Sequence, residues 1–273
     1  VLNAVGGTSE ARVLNNVIKI TVGHNSYAAL RQDGSVVVWG DNSSGQTGMG
    51  TSSTQVVYAP SYVRKGETAG LADDAYIRGA TDLDMGSTGG FVIDRMDNVS
   101  VWGNQNYGQT GYNFPMPVHR NGNWGASVKP VSLSAYNGHY TITTSNGWTY
   151  AFGANTNEDG TNQMGVSNGA AANTVVNDPM PILKAADYSE RSDVPYYYTD
   201  ITTESMDNIL AVSVGNAHTI IQRIDGSLYG VGRNSEGQLG SYLRSAYGVT
   251  LQDGANALIN DNPANRYYPY RVG

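Results

Sequence analysis

The sequence predicts an all-β protein built as an array of four repeats, and three features of the chain indicate this. Short runs in which apolar and polar residues alternate recur along the chain, as in strands with one buried face. A pattern of glycines follows these runs at fixed distances, and each copy ends on the same Pro-x-x-Val/Ile motif. Short strands that recur about every 60 residues predict a radial or stacked array of β units with one continuous core.

The first unit, residues 17–48, sets the order of elements with the sequence VIKITVGHNSYAALRQDGSVVVWGDNSSGQTG. Alternation up to Gly23 predicts one strand, and residues 26–30 and 36–39 predict two more, separated by a Gln-Asp-Gly turn. The glycines at positions 40, 45 and 48 then predict a loop. Each unit is therefore expected to form antiparallel strands joined by tight turns.

The later copies align on the glycines of the first copy. In the second copy, four glycines lie 63 residues further along: Gly86, Gly103, Gly108 and Gly111. In the fourth copy, six residues lie 192 positions beyond their counterparts: Gly215, Gly226, Gly232, Gly237, Gln238 and Gly240. The third copy is looser, because Tyr136 replaces the first glycine and four residues are inserted before Asn162. The closing motifs are residues 60–63, 115–118, 179–182 and 269–272.

This pattern resembles the regulator of chromosome condensation repeat family, whose units combine Gly-x-x-His, an Asp-Gly turn, an aromatic-Gly pair and Gly-Gln-Leu-Gly. The best match runs from Gly215-Asn216-Ala217-His218 through Asp225-Gly226 to Gly237-Gln238-Leu239-Gly240. The resemblance implies a β-propeller with one four-stranded blade per repeat, normally closed by about seven blades. This chain is therefore expected to hold four blades of a partial or unusually small propeller.

We treat residues 1–273 as a single repeat array with units at approximately 1–63, 64–118, 119–182 and 183–273. The blades themselves are expected at residues 17–63, 80–118, 130–182 and 209–272. Residues 185–208 form the longest departure from the repeat, and such insertions map to loops on a repeat scaffold.

Composition narrows the possible partners. The chain has no cysteine, which excludes disulfides, cysteine-ligated metals and thiol nucleophiles. A net charge of −7 argues against nucleic acid, whose binding depends on clustered Lys and Arg. No apolar run is long enough to predict a membrane span. Sparse charge with 34 Gly and 19 Tyr is typical of bacterial or phage-exposed β proteins, so we expect an extracellular or cell-surface location.

The motifs of common enzymes are missing from the sequence. It contains no Gly-x-Ser-x-Gly elbow, no His-Glu-x-x-His and no phosphate-binding loop, so no enzyme activity and no catalytic residue are predicted.

Aromatic residues precede the repeat glycines at Trp39, Trp102 and Phe152, and their equivalent placement favours blade packing over carbohydrate stacking. His139 and His218 share one repeat position, for which the family resemblance implies a structural role rather than a metal pair or catalysis.

One cluster in the third repeat resembles a calcium loop. Its oxygen ligands would be Asn155, Asn157, Asp159 and the Thr161 carbonyl. Asn155 stands where such loops usually begin with Asp, and Val166 stands where a bidentate Glu is expected, so the charge is low for tight binding. The alternative interpretation is a plain Asn-rich turn, and no other cofactor is predicted.

Three functions from different classes remain open. The first is a non-enzymatic extracellular scaffold or adhesion module that binds protein or glycan through blade-edge loops, or that builds a larger surface assembly. The second is the guanine-nucleotide exchange role of the family's namesake, for which residues 185–208 are the only candidate wedge. The third is enzyme inhibition, since a secreted β-lactamase inhibitor shares the fold. All three follow from resemblance, because fold alone does not determine function.

The repeat count also predicts how the chain assembles. Four units fall short of a full ring, so the first and last blades are expected to expose strand edges and apolar faces. Val1 matches the last residue of a Pro-x-x-Val motif, which favours further repeats in the same chain. The alternative is self-association of separate chains, with residues 1–14 and 267–272 as the contacting strands.

Overall fold

The structure is a computed structural model. It describes residues 2–3, 12–50, 53–66, 75–103, 115–118, 125, 127–155, 163–166, 175–185, 201–233, 238–239 and 265–271. All regular elements in these ranges are strands, and none of these residues builds a helix that could cross a bilayer.

The strands are numbered in chain order. They are β1 (Leu2–Asn3), β2 (Arg12–Val13), β3 (Val17–Val22), β4 (Ser26–Arg31), β5 (Val36–Asn42), β6 (Ser53–Tyr62), β7 (Ala80–Met85), β8 (Gly89–Asp94), β9 (Val99–Gly103), β10 (Met116–Pro117), β11 (Pro130–Tyr136), β12 (His139–Thr144), β13 (Thr149–Ala154), β14 (Val175–Pro181), β15 (Leu183–Ala185), β16 (Ile201–Ser205), β17 (Ile209–Gly215), β18 (His218–Arg223), β19 (Leu228–Arg233) and β20 (Asn265–Arg271).

Sixteen of these strands form four antiparallel four-stranded sheets, which we call blades 1 to 4. Blade 1 contains β3 to β6, blade 2 contains β7 to β10, blade 3 contains β11 to β14, and blade 4 contains β17 to β20. Strands consecutive in the sequence are neighbours in each sheet, so each blade is a simple meander. The first strand of each blade is called its inner strand.

One glycine position sets the register of the central hairpin in every blade. The second strand begins opposite this glycine in the pairs Ser26↔Gly40, Gly89↔Gly103, His139↔Gly153 and His218↔Gly232. All four glycines have positive φ, at 108°, 125°, 99° and 102°. A Cβ there would also collide with the carbonyl oxygen of the residue just before the second strand. The glycines therefore serve backbone geometry, as the sequence predicted.

Short pairings precede or connect the blades. Arg64 pairs with Tyr76 between blades 1 and 2, and β15 pairs with β16 between blades 3 and 4. The second pairing flanks the insertion at 185–208, of which residues 186–200 lie outside the described part. At the start of the chain β1 pairs with β2, and Val13 of β2 lies 63 positions before Tyr76, its counterpart in the next repeat. The same kind of pairing thus precedes blades 1, 2 and 4.

Apolar residues between neighbouring blades form the core. Ala28, Leu30, Val36 and Val38 of blade 1 pack with Leu83, Met85 and Trp102 of blade 2. A second cluster joins blades 2, 3 and 4, with Phe91, Tyr140, Phe152 and Ile221 among its buried members. The inner strands contact one another in the order β3, β7, β11, β17. No comparable contact joins β17 back to β3 among the strands described, so the four blades form an open row.

Candidate functional site

The inner strands are linked by a hydrogen bond that recurs at every described boundary between blades. In each case a backbone amide of one inner strand donates to a side-chain oxygen of the preceding inner strand. The three bonds are Met85 N to Thr21 Oγ1 at 3.2 Å, Ala135 N to Asp84 Oδ2 at 2.8 Å, and Val214 N to Ser134 Oγ at 3.0 Å. We call this series the amide ladder.

Strand register explains why these amides are available to a neighbouring blade. Ala135 lies opposite Tyr140, and Val214 lies opposite Thr219, in their own hairpins. In an antiparallel pair, alternate residues direct their amides away from the partner strand. Because the inner strands pair with their second strands in equivalent registers, each inner strand directs this amide outward at the same repeat position. The preceding blade then needs only one side-chain oxygen at the matching position.

Among the described residues, the amide ladder has an unmatched residue at each end of the row. Val22 holds the amide position in blade 1, and β3 is the first of the contacting inner strands. Ser213 holds the side-chain position in blade 4, where its hydroxyl is on an exposed residue. Its counterparts Thr21, Asp84 and Ser134 are all partly buried. The row therefore ends with a donor position on blade 1 and an acceptor position on blade 4.

Blade 1 also presents an apolar face on the side of this donor. Ile20 is 71% exposed and Val22 is 56% exposed. The residues at the same positions in blades 2 and 3 are buried against the preceding blade, namely Leu83, Met85, Leu133 and Ala135. In blades 2 and 3 the equivalent apolar face is covered by the preceding blade, whereas in blade 1 it is exposed.

An aromatic pair extends this face. Tyr27 and Trp39 stack with ring centroids 5.7 Å apart and planes inclined by 15°. In blade 3 the same positions hold Tyr140 and Phe152, which also stack, at 5.2 Å and 19°. Tyr140 is fully buried, whereas Tyr27 remains 40% exposed. We call the surface formed by Ile20, Val22, Tyr27 and Trp39 the first-blade face.

Trp102 and Phe152 have a different environment from Trp39. Both are fully buried, and the Trp102 indole nitrogen donates to the Gln46 carbonyl at 2.8 Å. They pack between blades, as the sequence predicted, and present no ring surface to a sugar. Trp39 is only half-buried because no described blade lies against it.

At the opposite end of the row, blade 4 also exposes side chains whose counterparts are buried in other blades. His139 and His218 occupy the same position at the start of the second strand, as the sequence predicted. His139 is fully buried, whereas His218 is half-buried. The difference arises because blade 4 covers His139, whose Nε2 lies 3.3 Å from the Thr219 hydroxyl. On the same side Leu228 is exposed and Ile220 is half-buried.

Burial sets the protonation of these histidines. Desolvation, with a smaller contribution from the charge of His218, lowers the pKa of His139 to about 3. Desolvation also lowers the pKa of His218. Both side chains are therefore neutral near pH 7. Within the described ranges, no three His, Asp or Glu side chains come together as a metal site.

Polar groups of the repeat loops form hydrogen bonds within and between the blades. Asn42 accepts hydrogen bonds from the Thr47 amide and hydroxyl, at 3.2 and 2.6 Å. Asn155 occupies the same position in blade 3, is buried, and accepts from the Met164 amide at 3.3 Å. The Gln163 carbonyl accepts from the Thr219 hydroxyl of blade 4 at 2.8 Å. These loops therefore lock neighbouring blades together.

The predicted calcium loop lies mostly outside the described residues. The structure does not describe Asn157, Asp159 or Thr161, so calcium binding stays a prediction. Asn155 is the one candidate ligand with a described position, and its side-chain oxygen already accepts a hydrogen bond within the blade.

Two aspartates make the junction of blades 1, 2 and 3 polar. Asp82 accepts from the Lys19 ammonium group at 2.6 Å and from the Leu133 amide at 3.1 Å. Asp84 accepts from the Thr21 hydroxyl and from the Ala135 amide. Burial raises the pKa of Asp84, although these hydrogen bonds oppose the shift. Sequence reasoning missed this role, and its only signal was polar residues alternating with apolar ones along β7.

Comparison with known proteins finds a family model that matches two of the four repeats. A family model described as "Regulator of chromosome condensation (RCC1) repeat" matches residues 17–46 and 209–238. These matches cover the first three strands of blades 1 and 4. They agree with the family that the sequence motifs indicated.

Solved structures of low sequence identity share the fold of this chain. Human WBSCR16 is 17% identical, with a TM-score of 0.60, over 97% of this chain and 55% of that chain. Prp20p from Saccharomyces cerevisiae, described with its binding properties to Gsp1p and histones, is 14% identical, with a TM-score of 0.59, over 94% and 50%. Yeast RCC1 (Prp20) bound to Kap60 is 16% identical, with a TM-score of 0.57, over 94% and 48%.

These similarities confirm the predicted fold class, an all-β propeller built of such repeats. The chain spans about half the length of the solved structures that it matches.

Proposed function

We propose that this chain, which carries repeats of the regulator of chromosome condensation family, is a non-enzymatic protein-binding scaffold that acts outside the cell or at its surface. The observation that carries the proposal is the first-blade face, where Ile20 and Val22 are exposed although their counterparts are buried. A protein partner would cover this face as one blade covers the next.

The chemistry of the first-blade face suits a protein more than a small polar ligand. Ile20 and Val22 offer branched apolar surface, and Tyr27 with Trp39 adds a stacked aromatic pair. Aromatic side chains are enriched at the centres of protein interfaces, where they contribute much of the binding energy. Contiguous exposed apolar surface on a folded protein commonly marks an interaction site.

Similar structures support a binding role. Yeast RCC1 (Prp20) has been solved with Kap60, and Prp20p was described with its binding to Gsp1p and histones. Prp20, which shares this fold, thus binds other proteins. The described motif residues of this chain support a scaffold rather than an enzyme, since Asn42, Asn155 and His139 are buried and engaged within or between blades.

Composition supports the proposed location. The chain has no cysteine to oxidise, few charged residues and many Gly and Tyr, which is typical of exposed β proteins. Nucleotide exchange and enzyme inhibition are not proposed. The candidate wedge for exchange falls mainly in residues 186–200, outside the described part, and no described feature favours either activity.

Photo-crosslinking from the first-blade face tests the proposal. A photoreactive phenylalanine analogue replaces Tyr27, and a matched control places it at Met96, which is 81% exposed but lies in a blade 2 turn. Irradiating cells that make the protein is expected to yield a discrete protein adduct from position 27 and none from position 96. Adding Ile20→Asp should remove the adduct. Absence of any protein adduct from position 27 would contradict the proposed function.

A further inference from the structure

We infer that the boundary between blades 3 and 4 is sensitive to acid: protonation of His139 opens it, while the boundary between blades 2 and 3 stays closed. The inference goes beyond the proposed function and does not depend on the first-blade face. It concerns two neighbouring blades that the structure describes, and it follows from the hydrogen bonds around one buried imidazole.

Two hydrogen bonds determine which nitrogen of His139 carries the proton. The Thr219 hydroxyl of blade 4 donates its single hydrogen to the Gln163 carbonyl at 2.8 Å. Toward His139 the same oxygen can therefore only accept a hydrogen bond, and it lies 3.3 Å from the imidazole Nε2. Nε2 thus carries the hydrogen of the neutral ring, and Nδ1 carries the lone pair.

A second proton would have to bind Nδ1, which is buried and has no hydrogen-bond partner among the described residues. His139 itself is fully buried. Protonation therefore places a charge and an N–H donor without an acceptor inside the boundary, and both are costly to bury. Opening the boundary lets water solvate the charge and the donor. The added proton thus favours the open form.

The side chains around His139 do not offset the added charge. The strands packed against β12 are β11, β13 and β17, and β18 supplies Thr219. The titratable or charged residues of these five strands are Tyr136, Tyr140, Tyr150, His218 and Arg223. Tyrosine is neutral in acid, and Arg223 is bonded to Asp207. Within the described part of the chain, the charge that acts on His139 is that of His218, which disfavours a second positive charge.

The other two boundaries have no titratable group at the position of His139. Ser26 holds this position in blade 1, and Gly89 holds it in blade 2. At the boundary of blades 1 and 2, the equivalent loop carbonyl is that of Gln46, and it accepts from the Trp102 indole. An indole N–H does not titrate between neutral pH and acid. Acid therefore has no corresponding target at this position in the first two blades.

Asp84, at the boundary of blades 2 and 3, responds to acid in the opposite sense. Burial raises the pKa of its carboxyl above the ordinary value of 3.8. The folded chain therefore binds this proton more readily than the unfolded chain does, so a fall in pH does not weaken the boundary through Asp84. Acid weakens the boundary that contains His139 and spares the boundary that contains Asp84.

Proton linkage gives the size of the effect. The pKa of His139 is about 3 in the closed boundary, and solvation in the open boundary returns it to the ordinary value of 6.5. The stability that neutral His139 allows is present above pH 6.5 and is lost as the pH falls toward 3. The equilibrium constant for opening then rises about 25-fold between about pH 7 and about pH 5.

Hydrogen exchange at these two pH values tests the inference, with each rate corrected for the intrinsic effect of pH on exchange. The Val214 amide reports on blades 3 and 4, because it donates to Ser134 Oγ. The Ala135 amide reports on blades 2 and 3, because it donates to Asp84 Oδ2. We expect the protection of Val214 to fall about 25-fold from pH 7 to pH 5, and that of Ala135 to change less than about threefold.

Histidine variants assign the response to one side chain. His139→Gln keeps a polar group in the boundary but does not titrate, so Val214 should be equally protected at both pH values. His24→Gln is the matched control, because it removes an exposed histidine, and it should retain the full loss of protection. His139→Ser is a second variant with the residue that blade 1 carries as Ser26, and it should also be insensitive to acid.

Three results would overturn the inference. Unchanged protection of Val214 in the wild-type protein would show that the boundary does not respond to acid. An equal loss at Val214 and Ala135 would show that acid loosens the whole array. A full acid response in whichever of His139→Gln and His139→Ser folds would assign the effect to another group.

Discussion

The backbone amide of Ala135 in blade 3 donates a 2.8 Å hydrogen bond to the Asp84 carboxylate of blade 2. The same carboxylate accepts the Thr21 hydroxyl of blade 1. One side chain thus joins three blades near their inner strands. Polar residues that alternate with the apolar core positions in these strands therefore hold the array together.

Removing the Asp84 carboxylate should destabilise the array. Asp84→Ala leaves the Ala135 amide without its acceptor, and an unsatisfied buried donor costs about 1–3 kcal/mol. We expect a loss of this size in the free energy of unfolding by urea. Asp84→Ser should lose less, because serine fills the same position at Ser134. Equal stability of Asp84→Ala and wild type would show that this bond contributes nothing.

Two tryptophans at the same repeat position should respond differently to the same change. Trp102→Phe removes the donor to the buried Gln46 carbonyl and leaves a small cavity, so we expect a loss of about 2–4 kcal/mol. Trp39→Phe, at the half-buried position, serves as the matched control and should cost less than about 1 kcal/mol. Both are measured by chemical unfolding of dilute protein. Similar losses in the two variants would contradict the environments described for them.

Lowering the pH should weaken the fold through His139. Burial lowers its pKa from 6.5 to about 3, so below pH 6.5 the unfolded chain binds a proton that the folded chain does not. The stability that neutral His139 allows is therefore present above pH 6.5 and is lost as pH falls toward 3. The slope contributed by this group approaches about 1.4 kcal/mol per pH unit. Unfolding curves between pH 6.5 and about 5 measure it.

His139→Gln provides the control for this pH dependence. Glutamine keeps a polar side chain facing Thr219 but does not titrate, so the slope over the same pH range should become shallower. An unchanged slope in this variant would mean that other groups cause the acid sensitivity.

Asn155 should stabilise blade 3 whether or not calcium is present. Its side-chain oxygen accepts the Met164 amide, so Asn155→Ala is expected to lower the melting temperature equally in calcium and in chelator. Asn42→Ala is the matched control, because Asn42 holds the same position in blade 1, where the loop has no Asn-rich insertion. It should also lower the melting temperature equally in calcium and in chelator. A loss confined to calcium-containing buffer would identify Asn155 as a calcium ligand.

The separate calcium prediction depends on Asp159. If calcium raises the melting temperature of the protein, Asp159→Ala is expected to abolish that rise. Thermal melts with and without chelator decide this, and identical wild-type curves would mean that no calcium site exists.

The sequence was sufficient to predict the strands and turns of the blades because these depend on local features. Gly40 and its counterparts require positive φ opposite the start of the second strand, so their spacing reports the hairpin geometry directly. The placement of Trp102 and Phe152 in the core was also predictable, because aromatic residues recurred at one position.

The differences between equivalent positions could not be predicted from the sequence. His139 and His218 have the same local context, and only the blade that follows each one decides whether it is buried. Thr21, Asp84 and Ser134 share a position but no residue type, because any side-chain oxygen can accept the next amide. Motif comparison does not detect such a position, although the strand register reveals it.

Hydrogen exchange at the Val22 amide tests the central claim, that a protein partner covers the first-blade face. In the partner-bound protein we expect this amide to exchange as slowly as those of Ala135 and Val214, which are bonded to a preceding blade. In Ile20→Asp it should exchange rapidly while the Ala135 amide stays protected. Rapid exchange of Val22 in the partner-bound wild-type protein, with Ala135 and Val214 protected, would contradict the account.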